Sequence, residues 1–498
     1  MTTHGNGLGD LYGTSLALLT DLYQLTMAYG YWKAGAADRE AVFHLTFRRH
    51  PFGGAHAIAC GIEPAIEYLE RLAFDASDRA FLATLTGADG KPLFEPAFLD
   101  HLGAMRFTCR VDAVPEGSVV FAHEPLIRVQ GPILQAQLVE TALLNIVNFQ
   151  TLVATKAARV CQAARGASVL EFGLRRAQGP DGGIAASRAA HIGGCAATSN
   201  VLAGKLLGVP VRGTHAHSWV MFHDGELAAF EAYARALPNN CVFLVDTYDT
   251  LDGVRHAIEV GRQLRARGHE LAGIRLDSGD LAYLSIEARK LLDDAGFPAA
   301  RIVASNDLDE TLIGSLLEQG ARIDTWGVGT KLVTAYDQPA LGGVYKLGAV
   351  RGPDGAWQHK LKVSEQPVKI SNPGVLNVRR LRKGDALVAD VIYDEDRGLS
   401  SGPRTELHDI DDPSFATAIE PDAFDRADDL LVRVLDGGRR VAAPSTLADA
   451  RARAAADLAG LSPRARRFLN PQPHRVGLDP AVHREKRALI ARAREQSR

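Results

Sequence analysis

No apolar run in the 498 residues approaches membrane-spanning length, no two cysteines form a C-x-x-C pair, and no G-x-x-x-x-G-K-[ST] loop occurs. These absences exclude a helical membrane span, argue against a zinc knuckle and require any nucleotide to bind without a P-loop. The five cysteines, Cys60, Cys109, Cys161, Cys195 and Cys241, are odd in number and widely spaced, so free thiols are expected. The net charge of -3 supplies no basic field to gather nucleic acid or a membrane surface. Residues 1–10 lack the basic start and apolar core of a signal peptide, which predicts a cytoplasmic protein. What is present, 46% hydrophobic and 23% charged residues, describes a globular chain long enough for two or three domains.

The amino-terminal part mixes helical and strand-like patterns. Thr20-Asp21 caps a run at helical spacing in which Tyr23 and Tyr29 can pack, residues 41–47 alternate like a half-buried strand, and 62–72 is an amphipathic helix. Arg48-Arg49-His50 is a basic turn that meets either an anion or water. With strand-like stretches at 109–113 and 118–121, an α+β layer over 1–150 is expected. From 151 to 340 the texture changes. Six short apolar runs, at 168–172, 209–212, 242–245, 272–276, 301–304 and 323–326, alternate with amphipathic helices such as 187–207 and 251–267. That spacing is the one repeated βαβ units require, and a β/α barrel is the economical fold. Strands resume over 341–440, as a second half of the first domain with the barrel inserted between the halves. Residues 441–498 read as a helical basic tail, either solvated or a subunit contact, with Asp479-Pro480 starting the last helix.

Each of the six runs ends in a polar cluster: Phe172-Gly-Leu-Arg175-Arg176, Gly213-Thr214-His215-Ala216-His217, Asp246-Thr-Tyr-Asp249, Arg275-Leu-Asp277-Ser-Gly-Asp280, Ser305-Asn306-Asp307 and Gly327-Val-Gly329-Thr330-Lys331. One such cluster is an ordinary cap or turn, but six at consecutive strand ends form a ring on one face of a barrel. The Gly-Val-Gly-Thr junction leaves backbone N–H groups open to phosphate, with Thr330 and Lys331 beside it, and Ser305-Asn306-Asp307 is a second such cup. Arg175, Arg176 and Arg275 either hold a carboxylate or phosphate or bridge to Asp277, Asp280 or Glu171. Among Asp246, Asp249, Asp277 and Asp280, one carboxylate can orient a histidine while others bind Mg²⁺ through water. His215 and His217 can pair on a metal, act singly as base or nucleophile, or be plain loop residues.

Taken together, Thr20-Asp-Leu-Tyr23-Gln-Leu-Thr-Met, Glu171-Phe-Gly-Leu-Arg-Arg-Ala-Gln-Gly-Pro-Asp181-Gly, Gly213-Thr-His-Ala-His-Ser218, Leu276-Asp-Ser-Gly-Asp280 and Gly327-Val-Gly-Thr330 resemble nicotinate phosphoribosyltransferase. The resemblance runs in order from about residue 15 to 380 and thins after about 400. It implies an irregular β/α barrel domain combined with an α+β sandwich domain built from N-terminal and C-terminal segments. It further implies a homodimer with the active site at the interface, and ATP-dependent condensation of nicotinate with phosphoribosyl pyrophosphate in NAD biosynthesis.

Carried over residue by residue, His217 corresponds to the histidine phosphorylated by ATP and Asp246 to its partner. Arg275 and Thr214, with Arg175, correspond to the nicotinate site, the ring lying near Phe172 and a Tyr23 from the second subunit. Ser305, Asn306, Asp307, Gly329 and Thr330 correspond to the phosphoribosyl cup. Asp277 corresponds to a residue near the ribose and its Mg²⁺, reached directly or through water. His215 is secondary under this reading. The rival readings are nicotinamide phosphoribosyltransferase, a metal-dependent hydrolase using His215 and His217, and a catalytically silent phosphosugar-binding protein.

Overall fold

The computed structural model describes residues 13–412 and 414–496. The chain divides into two compact units, one of Met1–Leu152 with Ala340–Arg498 and the other of Val153–Pro339.

The second unit carries a six-stranded parallel sheet of β1 (Ser168–Glu171), β2 (Ala197–Thr198), β3 (Val242–Leu244), β4 (Gly273–Leu276), β5 (Arg301–Asn306) and β6 (Thr325–Val328), in the order β2-β1-β6-β5-β4-β3. Ile274, Leu276, Ile302, Ala304, Trp326 and Val328 have no accessible surface, as in strands covered on both faces. The ladder is open between β2 and β3, and residues 210–215 occupy the gap. Thr198 N–H donates to Pro210 O (2.9 Å) and Arg212 N–H to Thr198 O (3.0 Å), while Leu244 N–H donates to Nε2 of His215 (3.2 Å). That segment meets β2 through backbone hydrogen bonds and β3 through the His215 side chain, beside an open parallel sheet.

Two details of this unit differ from the sequence expectation. The helix expected over 187–207 is two helices, Gly179–Ile192 and Val201–Leu207, with β2 between them. A side chain at Gly193 would stand 2.3 Å from Ala154 O, so the chain turns there against a neighbouring helix, and Asn200 restarts it by accepting from Ala203 N–H (3.2 Å). The strand expected over 209–212 is reduced to the isolated bridge Thr198–Val211, because Pro210 has no N–H to donate.

In the first unit the N- and C-terminal segments share one sheet. Strand Glu40–Phe47 pairs antiparallel with Ile127–Pro132 on one side and Gly343–Arg351 on the other, within a seven-stranded sheet. A second, six-stranded sheet is built around Leu376–Lys383 and Ala386–Asp394. Residues 441–498 are not purely helical. Between helices Leu447–Gly460 and Pro480–Gln496, strand Val476–Leu478 pairs in parallel with Ala386–Asp394. Leu478 is fully buried, an anchor of three residues that is too short to show a period in the sequence. Asp479 accepts from Ala481 N–H (2.8 Å) at the start of the last helix. Among the described residues no helix is long and apolar enough to cross a membrane.

Candidate active site

The carboxyl ends of the strands in the second unit open into a cleft of about 730 Å³, lined by Phe172, Arg175, Thr214, Arg275, Asp277, Ser305, Asn306, Asp307, Gly329 and Thr330 among others. Members of five of the six strand-end clusters, from segments more than 150 positions apart in sequence, share this mouth, while His217 and the Asp246–Asp249 cluster are not among its lining residues.

The wall begins at β1. Its last residue, Glu171, is buried, and its carboxylate accepts from Gly173 N–H, Ser187 Oγ (2.8 Å) and Thr198 Oγ1, which fixes the turn that presents Phe172. The Phe172 ring lies on β6 at Gly327, where a Cβ would come within 2.7 Å of it, so only glycine admits the ring. Arg175 and Arg176 follow in a short 3-10 turn and are exposed.

Across the cleft, Arg275 on β4 donates from Nη1 to Thr214 Oγ1 (2.6 Å) and from Nη2 to His215 O (3.1 Å). Its buried Nε has no partner, and burial holds its pKa below the usual guanidinium range even with Asp277 and Asp246 nearby. Arg275 thus shapes the 213–216 loop and does not ion-pair with Asp277, Asp280 or Glu171.

The two histidines separate cleanly. His215 accepts the Leu244 N–H at Nε2, which leaves the proton on Nδ1, 3.4 Å from Ala216 O. Burial pushes its pKa down to about 4, the Arg275 and His217 charges adding to the effect. His215 is a neutral structural side chain, and its nitrogens are not free for a metal. His217, at the start of helix His217–Phe222, has Nδ1 at 3.1 Å from Thr247 Oγ1, and its Nε2 lies 3.9 Å from Asp246 Oδ1 and 4.0 Å from Asp277 Oδ2. Its side chain is 40% exposed while that of Asp246 is 1% exposed. Asp246 is held by Asp277 N–H (2.9 Å) and Ser278 Oγ (2.8 Å), both on Oδ2, leaving Oδ1 buried without a partner.

The remaining acids sort by position. Asp249 and Asp280 are helix caps, accepting from Asp252 N–H (2.9 Å) and Tyr283 N–H (3.0 Å). Ser305 Oγ is spent on Asp277 Oδ1, and Asn306 Oδ1 accepts from Asp307 N–H (2.7 Å). Asn306 has φ of 149°, a conformation that costs a side-chain-bearing residue about 1–3 kcal/mol and is characteristic of functional rims. Lys331, beside the glycine junction, is tied to Asp309 (2.6 Å) and is not a free phosphate cation. Tyr23 belongs to the first unit, on helix Leu22–Lys33, and is 48% exposed. Thr247 was not singled out by the sequence. It sits inside the Asp246–Asp249 cluster, but nothing in its residue type marks it as facing His217.

One expectation follows for the paired histidines. Replacing His215 with Asn removes the acceptor for Leu244 N–H and should cost about 1–3 kcal/mol of stability at neutral pH, while leaving His217 competent. The pH dependence has a definite sign. The unfolded imidazole takes a proton near its ordinary 6.5 and the folded one only near 4, so the stability from neutral His215 is complete above 6.5 and is lost as pH falls toward 4. Thermal unfolding of both proteins across that range should show the wild-type advantage shrinking with acid; a constant gap would remove His215 from the account.

A parallel-sheet α/β unit with a half-buried arginine in a cleft at the strand ends, an acid-flanked imidazole near it and glycine junctions between defines the class: an α/β enzyme whose cleft suits small anionic substrates. Comparison with known proteins makes this specific. The profile of the nicotinate phosphoribosyltransferase (NAPRTase) family matches residues 167–352, and those of the N-terminal and C-terminal domains of nicotinate phosphoribosyltransferase match 18–148 and 377–486. The chain belongs to the nicotinate phosphoribosyltransferase family, enzymes of NAD biosynthesis. It is 51% identical over 368 residues to the nicotinate phosphoribosyltransferase of Bacillus subtilis, 74% of this chain and 73% of that one. It is 37% identical over 536 residues to that of Homo sapiens, 95% of this chain and 96% of that one. The crystal structure of human nicotinic acid phosphoribosyltransferase superposes with a TM-score of 0.83 at 34% identity, covering 94% of this chain and 99% of that chain. The likeness therefore continues past residue 400, where the quoted motifs thin out.

Proposed function

We propose that this enzyme joins nicotinate to 5-phosphoribosyl 1-pyrophosphate, giving nicotinate mononucleotide and pyrophosphate, with ATP consumed through transient phosphorylation of His217. The observation that carries the reading is a cleft lined by both Arg275 and Asp277, with Nε2 of His217 4.0 Å from Asp277 Oδ2 and 3.9 Å from Asp246 Oδ1.

Arg275 has N–H groups to spare for the nicotinate carboxylate, and Phe172 offers a flat apolar face to the pyridine. Thr214 is bonded to Arg275 and holds it in place, and Arg175 adds positive charge at the open end. The backbone around Gly329 and Thr330, with Asn306, suits the sugar 5-phosphate. The reaction is a displacement at the anomeric carbon: the pyridine nitrogen attacks, the C–O bond to pyrophosphate breaks and its electron pair leaves with that oxygen. Positive charge on the cleft walls stabilises the leaving group, and little acid-base help is needed.

Mg²⁺ fits the donor set. Asp277 Oδ2 approaches His217 only at 4.0 Å, Asp307 is exposed on the same rim, and a metal shared with substrate phosphates needs only one or two protein carboxylates. When bound there, Mg²⁺ would neutralise charge on the pyrophosphate. A cytoplasmic homodimer, with Tyr23 given from one subunit to the other's nicotinate, belongs to the same reading.

The test supplies nicotinate or nicotinamide at equal concentration with phosphoribosyl pyrophosphate, with and without ATP, and measures mononucleotide. Nicotinate should be preferred by roughly 30-fold or more, since nicotinamide leaves the half-buried Arg275 cation without its anion. Faster turnover of nicotinamide would reverse the substrate assignment.

A further inference from the structure

Thr247 has no task in the barrel scaffold. It follows β3 but is not the cap of the next helix, which Asp249 provides, and its hydroxyl has one hydrogen-bond partner, Nδ1 of His217 at 3.1 Å. On the other side of the same ring, Nε2 lies 3.9 Å from Asp246 Oδ1 and 4.0 Å from Asp277 Oδ2. Asp246 cannot turn away, because its second oxygen is bound by Asp277 N–H and Ser278 Oγ, and Oδ1 is left buried and unpartnered. A proton on Nε2 is therefore favoured by two negative charges, and Nδ1 keeps its lone pair. A threonine hydroxyl both donates and accepts, so with the proton drawn to Nε2 by the carboxylates Thr247 is left as the donor to the Nδ1 lone pair.

We propose that Thr247 is a positioning residue for phosphotransfer: its hydroxyl holds Nδ1 of His217 as the lone-pair nitrogen and passes to a phosphoryl oxygen once that nitrogen has reacted. The proposal rests on phosphorylation of His217. In the step it describes, the Nδ1 lone pair forms the bond to the γ-phosphorus of ATP while the bond from phosphorus to the bridging oxygen breaks, and its electron pair leaves on ADP. The ring then carries positive charge, with its proton on Nε2 beside the unpartnered oxygen of Asp246, which supplies the acceptor this state needs. The Thr247 hydroxyl, released from Nδ1, then donates to an oxygen of the new phosphoryl group.

The full chain and its Thr247→Ser, Thr247→Val and Thr247→Ala variants are incubated with radiolabelled ATP and Mg²⁺. The initial rate of acid-labile labelling is followed, and the phosphohistidine isomer is identified after alkaline digestion. Serine should label within about threefold of wild type and valine about tenfold more slowly, the rate equivalent of one net hydrogen bond, with label on Nδ1. A packing role gives the opposite order, since valine keeps the shape of threonine and serine does not. That opposite order, equal rates for valine and wild type, or label on Nε2 overturns the proposal. Should the valine variant fail to fold, alanine against serine makes the same comparison, and alanine labelling as fast as serine is the overturning result. A wild-type chain that takes no label overturns the phosphohistidine reading itself and this proposal with it, whereas a labelled wild type with equal variants removes Thr247 alone.

Discussion

His217→Asn is expected to abolish transfer of label from ATP to the protein and to reduce the ATP-stimulated efficiency with phosphoribosyl pyrophosphate to the wild-type level without ATP. The two parts have different causes. Label disappears because Asn has no nitrogen lone pair able to attack phosphorus, and the other imidazole of the loop is unable to substitute. His215 Nε2 accepts from Leu244 N–H, and its Nδ1 carries the proton. The drop in efficiency measures the coupling between ATP use and substrate binding, typically 1–3 kcal/mol and thus about 5–150-fold. Synthesis should not vanish, because displacement at the anomeric carbon draws on Arg275, Phe172 and the phosphate cup, none of which depends on the imidazole. Acid-labile, base-stable label should persist in His215→Asn and be absent in His217→Asn. Label retained after loss of His217 would place the acceptor elsewhere and defeat the assignment.

The contrast between the two histidines also shows what the sequence carries and what it does not. Polar clusters at strand ends were readable because a buried parallel strand must end where Gly, Asp, Ser and Asn begin, and the structure brings the residues after β1, β4, β5 and β6 to one cleft. The spacing of His215 and His217 left a metal pair open. Only the approach of Leu244, 29 positions away, assigns His215 to tying its loop to β3. Asp246 and Asp277 are indistinguishable in type from Asp249 and Asp280. What separates them is a three-residue offset to a helical N–H, which turns the second pair into caps. Lys331 looked like a phosphate ligand because its partner, Asp309, lies in a different strand-end loop. The shortest elements, β2 and the strand at Val476–Leu478, escaped because two or three residues have no period to read.

Arg275→Gln is expected to lower kcat/KM for nicotinate far more than for nicotinamide. Two N–H groups of Arg275 serve neutral acceptors, Thr214 Oγ1 and His215 O, and the buried Nε serves none, so the cation is desolvated without a bonded anion. Burial already weakens its hold on its proton, so a carboxylate arriving there relieves an existing cost. Removing one member of a buried, hydrogen-bonded charge pair costs about 2–5 kcal/mol, or roughly 30- to several thousand-fold. Lysine should rescue poorly, because one ammonium cannot hold Thr214, the His215 carbonyl and a carboxylate in the planar arrangement that the guanidinium fork provides. The ratio of the two pyridines separates charge from shape. A collapsed 213–216 loop would harm nicotinate and nicotinamide alike, whereas loss of the cation harms only the anion. Equal losses for the two substrates would therefore make Arg275 a loop support and move recognition of the carboxylate to Arg175, the other cation lining the cleft that this reading assigns to nicotinate.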